Sequence, residues 1–248
     1  MAENGNTVDL VKLIRPSSVD VLFRKLSEAY GDGRLVFRGQ ADAKWTLYSS
    51  FDRLHAGNHV KREQDFGRLL EEYKSLMERH FGIKVDGNQN NIASFGQHLG
   101  LPTRLLDWSY SPFIGLFFCI YDNPSLGKQD SALFALDREI IETNIHSNNF
   151  EFIDPDTKNN SNLVRQQGCL SRIKTRHTDI ESLLKDMKDE MDDPIPIEKY
   201  IIKKNWLSEI WVRLNAMNLN HISLVEGKES ISKKLKTDIA LSIFEFTA

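Results

Sequence analysis

The chain has 248 residues, of which 40% are hydrophobic, so it is long enough to bury a sizeable core. A formal net charge of −3 excludes the global basic field of a non-specific DNA binder. Neither of the two cysteines, Cys119 and Cys169, stands in a C-x-x-C pair, so no zinc knuckle is supported and we expect no bound metal.

Two features of the chain bear on its location. Residues 1–6 are polar and lack the apolar core of a signal peptide. The longest apolar run, residues 113–121, is too short to span a bilayer. We therefore expect a cytoplasmic protein in a reducing compartment, with no membrane partner.

The first part of the chain alternates helical patterns with short extended runs. In chain order we predict a helix over 19–30 capped by Ser17 or Ser18, a buried strand over 35–37, an extended segment over 45–51, and helices over 63–81 and 92–99. Arg38 stands at the end of the strand, and Gly39 would allow a sharp turn or the close approach of a ligand.

The second part of the chain carries more strands. In chain order we predict a strand over 105–108, a helix over 112–121, strands over 131–136, 166–170 and 197–202, and helices over 206–217 and 231–235. Between these we expect a long polar loop over 144–162 and a charged helix or mobile segment over 180–191, and after them a docked apolar segment over 239–246. The sequence contains no repeats and no clear linker. The simplest account is therefore a single α+β domain over 1–248, with its core over about 10–235. We expect small mixed or antiparallel sheets flanked by helices.

The most informative segment is residues 95–109, where many polar side chain types adjoin a strongly apolar run. Polar groups so close to a core are costly to bury unless they are paired or used in chemistry. Together with residues 37–40, this segment predicts a polar pocket built on a buried frame.

These two segments resemble the FRG domain family. The resemblance rests on Phe-Arg-Gly-Gln at residues 37–40 and on Gln-His-x-Gly-Leu-Pro-Thr-Arg-Leu-Leu-Asp-Trp-Ser-x-Ser-Pro at residues 97–112, and it extends over about 10–235. Members of the family recur in bacterial and phage genomes in settings that suggest toxin or antiviral roles. The resemblance therefore implies a toxin or antiviral defence effector, with an antitoxin as a further partner.

A weaker resemblance is to ADP-ribosyltransferases of the Arg-Ser-Glu type. These enzymes place an aromatic-Arg-Gly motif at the end of the first core strand, and residues 37–39 fit it. Their Ser-x-Ser element fits Ser109 and Ser111, but their later glutamate has no counterpart beside Gln166 and Gln167. The resemblance implies an ADP-ribosyltransferase-like core, NAD as substrate, and transfer to a macromolecule, which is RNA, DNA or protein.

The candidate residues follow from this resemblance and from side-chain chemistry. The candidate catalytic residues are Arg38, His98, Asp107 and Gln167. The candidate residues for binding NAD are Arg38, Gly39, Gln40, Gln97, Arg104, Trp108, Ser109 and Ser111. The planar fork of Arg38 suits a phosphate of NAD, Asp107 is the nearest carboxylate for charge on the ribose, and His98 is the candidate base. Trp108 or Tyr110 could stack on the nicotinamide.

Most of these residues also have a structural interpretation. Arg38 could form a buried ion pair with Asp107, and Arg104 could pair with Asp107 across a turn. Alternative structural roles are a satisfied histidine at His98, a core position at Trp108, a helix N-cap at Ser111 and an amide paired with backbone at Gln167.

Three functions therefore compete. The leading one is an NAD-dependent ADP-ribosyltransferase. The second is a nucleic-acid-binding or processing module, with Trp45 or Trp206 stacking on bases and a local basic face from Arg15, Arg24, Lys25, Arg34, Lys203 and Lys204. The third is a non-catalytic nucleotide sensor or protein-interaction domain, which the missing glutamate favours.

Overall fold

The computed structural model describes residues 11–31, 33–55, 57–121, 123, 126–154, 161–187 and 197–242. Its strands are β1 (Val11–Ile14), β2 (Leu35–Gln40), β3 (Leu105–Ser109), β4 (Ser131–Asp137), β5 (Phe150–Ile153), β6 (Gly168–Ile173) and β7 (Ile197–Ile202). They form one seven-stranded sheet in the order β1-β7-β4-β2-β3-β6-β5. β1 and β7 are parallel, and the other neighbouring pairs are antiparallel.

Helices flank this sheet. They are α1 (Val19–Tyr30), α2 (Ser50–Leu54), α3 (His59–Phe81), α4 (Gln89–His98), α5 (Pro112–Phe118), α6 (Arg138–Asn144), α7 (Ser161–Arg165), α8 (Ile180–Met187), α9 (Leu207–Ala216), α10 (His221–Leu224) and α11 (Glu229–Ala240). The α+β class is confirmed, although one mixed sheet replaces the several small sheets we predicted. None of the helices in the described ranges is long and apolar enough to cross a membrane.

Elements with strong local signals form where the sequence predicts them. The Ser18 hydroxyl caps α1 by accepting from the Val21 amide at 3.2 Å. The Ser111 hydroxyl caps α5 by accepting from the Ile114 amide at 3.4 Å, which confirms its structural interpretation. Strand β7 has the predicted bounds.

Several predicted segments differ from the structure. The end of the predicted extended segment, residues 50–51, belongs to α2 instead, because the Ser49 hydroxyl accepts from the Asp52 amide at 3.0 Å and caps a helical turn. The predicted loop over 144–162 contains β5, whose Phe150 is buried, and the first residues of α7; residues 155–160 lie outside the described ranges. Helix α11 continues to residue 240, and residues 243–246 of the predicted docked segment also lie outside the described part of the chain.

Apolar clusters cover both faces of the sheet. On one face α1, α5 and α9 pack together, with Leu22, Phe117 and Trp211 fully buried. The opposite face carries Trp108 and Phe134, beneath α6 and α8. A third cluster joins α3 and α4 to the start of β3 and to β6.

Helix α5 lies unusually close to β2, and Gly39 permits this. A Cβ added at Gly39 would lie 2.1 Å from the carbonyl oxygen of Gly115 and 2.6 Å from the amide nitrogen of Cys119, closer than real Cβ contacts. The glycine therefore admits the backbone of a helix, and it also lines the cavity beside Arg38, so its predicted role in binding a ligand stays a prediction.

Strands β2 and β3 separate almost as soon as they meet. Their register contains the single pair Phe37↔Ser109, whereas β2 and β4 pair continuously from Leu35↔Asp137 to Gln40↔Ala132. The strands therefore leave a gap in the sheet beside residues 38 and 107, and a cavity opens there.

Candidate functional site

A cavity of about 330 Å³ opens where β2 and β3 separate, within the size range of small-molecule sites. The polar residues of its wall include Arg38 of β2, Gln97 and His98 of α4, Asp107 and Ser109 of β3, Asn162 of α7, and Gln166 of the turn before β6. The structure thus brings the two informative sequence segments to one cleft.

Arg38 bridges the gap between the two strands. Its Nη1 donates to the backbone carbonyl of Asp107 at 2.9 Å and lies 3.8 Å from the Asp107 carboxylate. The Nε is buried and has no hydrogen-bond partner within the described residues. Burial lowers the pKa of Arg38, while the Asp107 carboxylate opposes that change. An arginine keeps its charge under such shifts, so the cavity wall holds a cation.

Asp107 presents a carboxyl group to the cavity. Its side chain is 50% exposed, and its Oδ1 accepts from the Gln97 amide nitrogen at 2.6 Å. The Thr103 hydroxyl in turn donates to the Gln97 amide oxygen, which fixes the orientation of that amide. Burial raises the pKa of Asp107, whereas Arg38 and Gln97 lower it; burial is the larger effect.

The protonation of His98 follows from its neighbour Asn162. The Asn162 Oδ1 accepts from the backbone amide of Glu226 at 2.7 Å, so its Nδ2 faces His98, at 3.1 Å from the ring Nδ1. An amide nitrogen only donates, which makes Nδ1 the acceptor and places the proton of the neutral ring on Nε2. In this arrangement the Nε2–H of His98 can donate a hydrogen bond, and the role of His98 as a base stays a prediction.

Other predicted residues at this site have structural partners. The Ser109 hydroxyl donates to the Gln166 carbonyl at 2.7 Å and accepts from the Ser111 amide at 3.0 Å. Trp108 is 3% exposed, and its Nε1 donates to the Ser171 hydroxyl at 2.8 Å. Trp108 is therefore a core residue, and the serines shape the turn into α5.

Two predicted amides lie outside the cavity. The Gln40 amide nitrogen donates to the Thr46 carbonyl at 3.1 Å. Gln167 occupies a turn with φ of +46° instead of a strand, and its backbone carbonyl accepts from the Tyr110 amide at 3.0 Å. Gln166 lines the cavity in its place, with its amide nitrogen donating to the Leu224 carbonyl at 2.9 Å. The sequence does not separate Gln166 from Gln167; the positive φ of Gln167 in the turn does.

Arg104 belongs to a buried ion cluster, which we define as Asp52, Arg62, Glu63, Arg104 and Arg172. The Arg104 side chain is 0% exposed, lies 3.2 Å from the Asp52 carboxylate and donates to Glu63. The predicted pairing of Arg104 with Asp107 is wrong, because α2 and α3 bring two other carboxylates to its guanidinium. Burial lowers the pKa of Arg104, and the Asp52 carboxylate opposes this.

The described residues contain no group of three or more His, Cys, Asp or Glu side chains placed to hold a metal ion. Among protein families, the model described as FRG domain matches residues 33–127. No curated protein and no solved structure matches the chain. The family match includes Arg38, Gln97 and Asp107 and ends before Gln166.

Proposed function

The chain carries an FRG domain over residues 33–127, and from that premise we propose that it is an NAD-dependent ADP-ribosyltransferase. The cavity between β2 and β3 is its NAD site. The acceptor is a macromolecule, and the activity serves a cytoplasmic toxin or antiviral defence effector under the control of an antitoxin. The observation that carries the proposal is the meeting of Arg38 and Asp107, 3.8 Å apart, on one cavity wall.

Arg38 suits the pyrophosphate of NAD. Its side chain remains 19% exposed, and the Asp107 carboxylate near it lies beyond hydrogen-bond distance. A planar guanidinium donates two parallel, charge-assisted hydrogen bonds to a phosphate, and an incoming phosphate would compensate the loss of water around the cation.

Asp107 suits the reacting ribose. The bond between ribose C1′ and the nicotinamide nitrogen breaks, its electron pair leaves with the nicotinamide, and C1′ acquires oxocarbenium character. A carboxylate at the cavity wall stabilises that positive charge. When the acceptor nucleophile bonds to C1′, its proton passes to the Asp107 carboxylate, whose raised pKa favours accepting it.

Two neighbours are positioning residues for this carboxylate. Gln97 holds one carboxylate oxygen at 2.6 Å, and Thr103 fixes the Gln97 amide. His98, with its proton on Nε2, supplies a donor at the rim for a ribose or phosphate oxygen. Asp107 on β3 thus supplies the acidic group that the segment around Gln166 lacks.

The activity is tested with NAD labelled on the adenylate phosphate and a cell lysate as the source of acceptors. We expect the folded protein to release nicotinamide and to transfer label to a fraction sensitive to ribonuclease, deoxyribonuclease or protease. Asp107→Asn should reduce nicotinamide release by about 10²–10⁴-fold, the usual range for an acid–base group. The control Gln167→Asn, which tolerates the turn's positive φ, should retain activity. Intact NAD after incubation with folded protein would refute the transferase function.

One observation favours a second candidate, a nucleotide sensor. The Ser109 hydroxyl both donates and accepts a hydrogen bond within the fold, so it is not free to hold the ribose. A sensor would bind NAD in the same cavity and leave it intact, and the nicotinamide assay separates the two functions.

A further inference from the structure

A second cleft, of about 840 Å³, lies between the segment 44–48, α2 and the start of α3. Its principal lining residues are Lys44, Trp45, Tyr48, Arg53, His55 and Arg62. Asp52 is the one carboxylate among its lining residues, and it already contacts Arg104 of the buried ion cluster. The described surface of the cleft is therefore cationic, although the whole chain carries a net charge of −3.

Two of these cations are exposed at the mouth of the cleft. Lys44 and Arg53 form no ion pair with a carboxylate among the residues that the structure describes. The Arg53 guanidinium instead lies near a carbonyl, with Nη1 3.4 Å from the backbone oxygen of Tyr48. Charges left without acidic partners are available to an anion, and phosphate is the anion an arginine fork fits best.

The third cation, Arg62, lies at the base of the cleft. Its side chain is 5% exposed, and its Nε has no hydrogen-bond partner within the described ranges. The nearest carboxylate oxygen of Asp52 is 3.8 Å away. The Arg62 Nη2 donates to the backbone carbonyl of Arg176 at 2.5 Å, a neutral acceptor that leaves the positive charge at the base of the cleft.

Trp45 adds an aromatic surface beside these charges. It is 45% exposed, unlike the buried Trp108 and Trp211. The chain around it is fixed, because the Lys199 ammonium lies 3.4 Å from the Trp45 carbonyl and the Leu47 amide donates to the Glu181 carboxylate at 3.0 Å. An exposed indole on an anchored segment is suited to stack on a flat ring.

We propose that this second cleft binds single-stranded nucleic acid, and that nucleic acid is the acceptor of the ADP-ribosyl group. Phosphates contact Lys44 and Arg53, and a base stacks on Trp45. A duplex conceals the faces of its bases, so the exposed indole favours a single strand. The identity of the acceptor rests on the proposed function, whereas the binding itself does not involve NAD.

Strand β2 links the cleft to the cavity between β2 and β3. Arg53 is close enough to Arg38 for its charge to contribute to the lowered pKa of Arg38. Gln40, two residues beyond Arg38 on β2, holds the carbonyl of Thr46 in the cleft's own lining. A strand bound at Trp45 would therefore lie next to the NAD site.

Fluorescence anisotropy without NAD tests the proposal. Labelled RNA and DNA single strands of about 12 nucleotides, within the site sizes of single-strand grooves, are compared with a duplex of equal length. We expect a single strand to bind more tightly than the duplex, and the preferred single strand identifies the acceptor as RNA or DNA. Trp45→Ala should weaken binding about 5- to 150-fold, while Trp45→Phe, which keeps an aromatic face, should weaken it less.

The charges are tested by the salt dependence of binding. Replacing Lys44 and Arg53 together by Gln should reduce the slope of log K against log salt by about 1.4, the value for two phosphate contacts on a single strand. The control Lys84→Gln, just beyond the end of α3 that lies away from the cleft, should leave the slope unchanged. Failure of the folded protein to bind any single strand, equal binding by Trp45→Ala, or equal binding of a polyglutamate peptide would overturn the proposal. Oligonucleotide binding without nicotinamide release would refute the transferase function alone.

Discussion

Arg38 and Arg104 both lie beside carboxylates, yet their surroundings differ. Arg104 is wholly buried and contacts the carboxylates of Asp52 and Glu63. Arg38 faces a cavity, and among the described residues one carboxylate lies near it, at 3.8 Å. The number of acidic partners and access to a cavity separate a structural arginine from one available to a ligand. The residue type and its place in a motif do not distinguish these two kinds of arginine.

The same contrast holds within one short segment. Arg104 and Asp107 are three positions apart, but the first belongs to the buried ion cluster and the second to the cavity. Strand β3 begins between them, and its alternation directs Asp107 towards the cavity while Arg104 precedes the strand. The predictions below test whether these two regions are as distinct as the structure indicates.

The largest effect on stability is expected in the buried ion cluster. Arg104→Met should lower the free energy of unfolding by about 3–5 kcal/mol, because Asp52 and Glu63 would lose their shared cationic partner. Urea denaturation measures this change. A loss below about 1 kcal/mol would mean that the cluster is not structural, and the contrast with Arg38 would fail.

A smaller effect on stability is expected where α5 contacts β2, behind the cavity. Gly39→Ala should destabilise the protein by about 1–3 kcal/mol, because the new methyl group meets the backbone of α5, which cannot give way locally. Gly33→Ala is a useful control: nothing lies within 4 Å of its Cβ position, and it tests the cost of the positive φ alone. Unchanged stability for Gly39→Ala would show that α5 can move away from β2.

The smallest effect on stability is a pH dependence at Asp107. The native pKa is raised above the ordinary value of 3.8, so the native state holds this proton more tightly than the unfolded chain. The contribution of Asp107 to stability is therefore greatest below pH 3.8 and is lost as the pH rises through the native pKa. The Asp107→Asn variant has no carboxyl group that could release this proton. Its free energy of unfolding relative to wild type should therefore increase between pH 3.8 and the native pKa of Asp107. Denaturation at several pH values measures this difference. A difference that is constant, or that changes in the opposite direction, would contradict the raised pKa.

Local sequence signals predicted much of the scaffold. The apolar periodicity of α1, the β-branched run of β7 and the capping role of Ser111 each depend on a few neighbouring residues. The density of polar residues in 95–109 also predicted a pocket, and the structure joins Arg38, Gln97 and Asp107 in one cavity.

The errors arise from contacts between distant residues. Asp52 and Glu63 stand 52 and 41 positions from Arg104, so no local pattern could assign them as its partners. Gln166 lines the cavity where we predicted Gln167, and this difference depends on the positive φ of Gln167 in the turn. The second cleft joins α2 and α3 to the segment around Trp45, and only the packed structure brings its charges together.

The central claim is that Arg38 marks an NAD site, and a thermal shift with NAD tests it most directly. A ligand bound only by the native state stabilises it by about 2.7 kcal/mol at 100 times its Kd. We predict an NAD-dependent rise in Tm for the wild type and for the control Gln167→Asn, and none for folded Arg38→Ala. An equal rise in Arg38→Ala, or no rise in the folded wild type, would contradict the account.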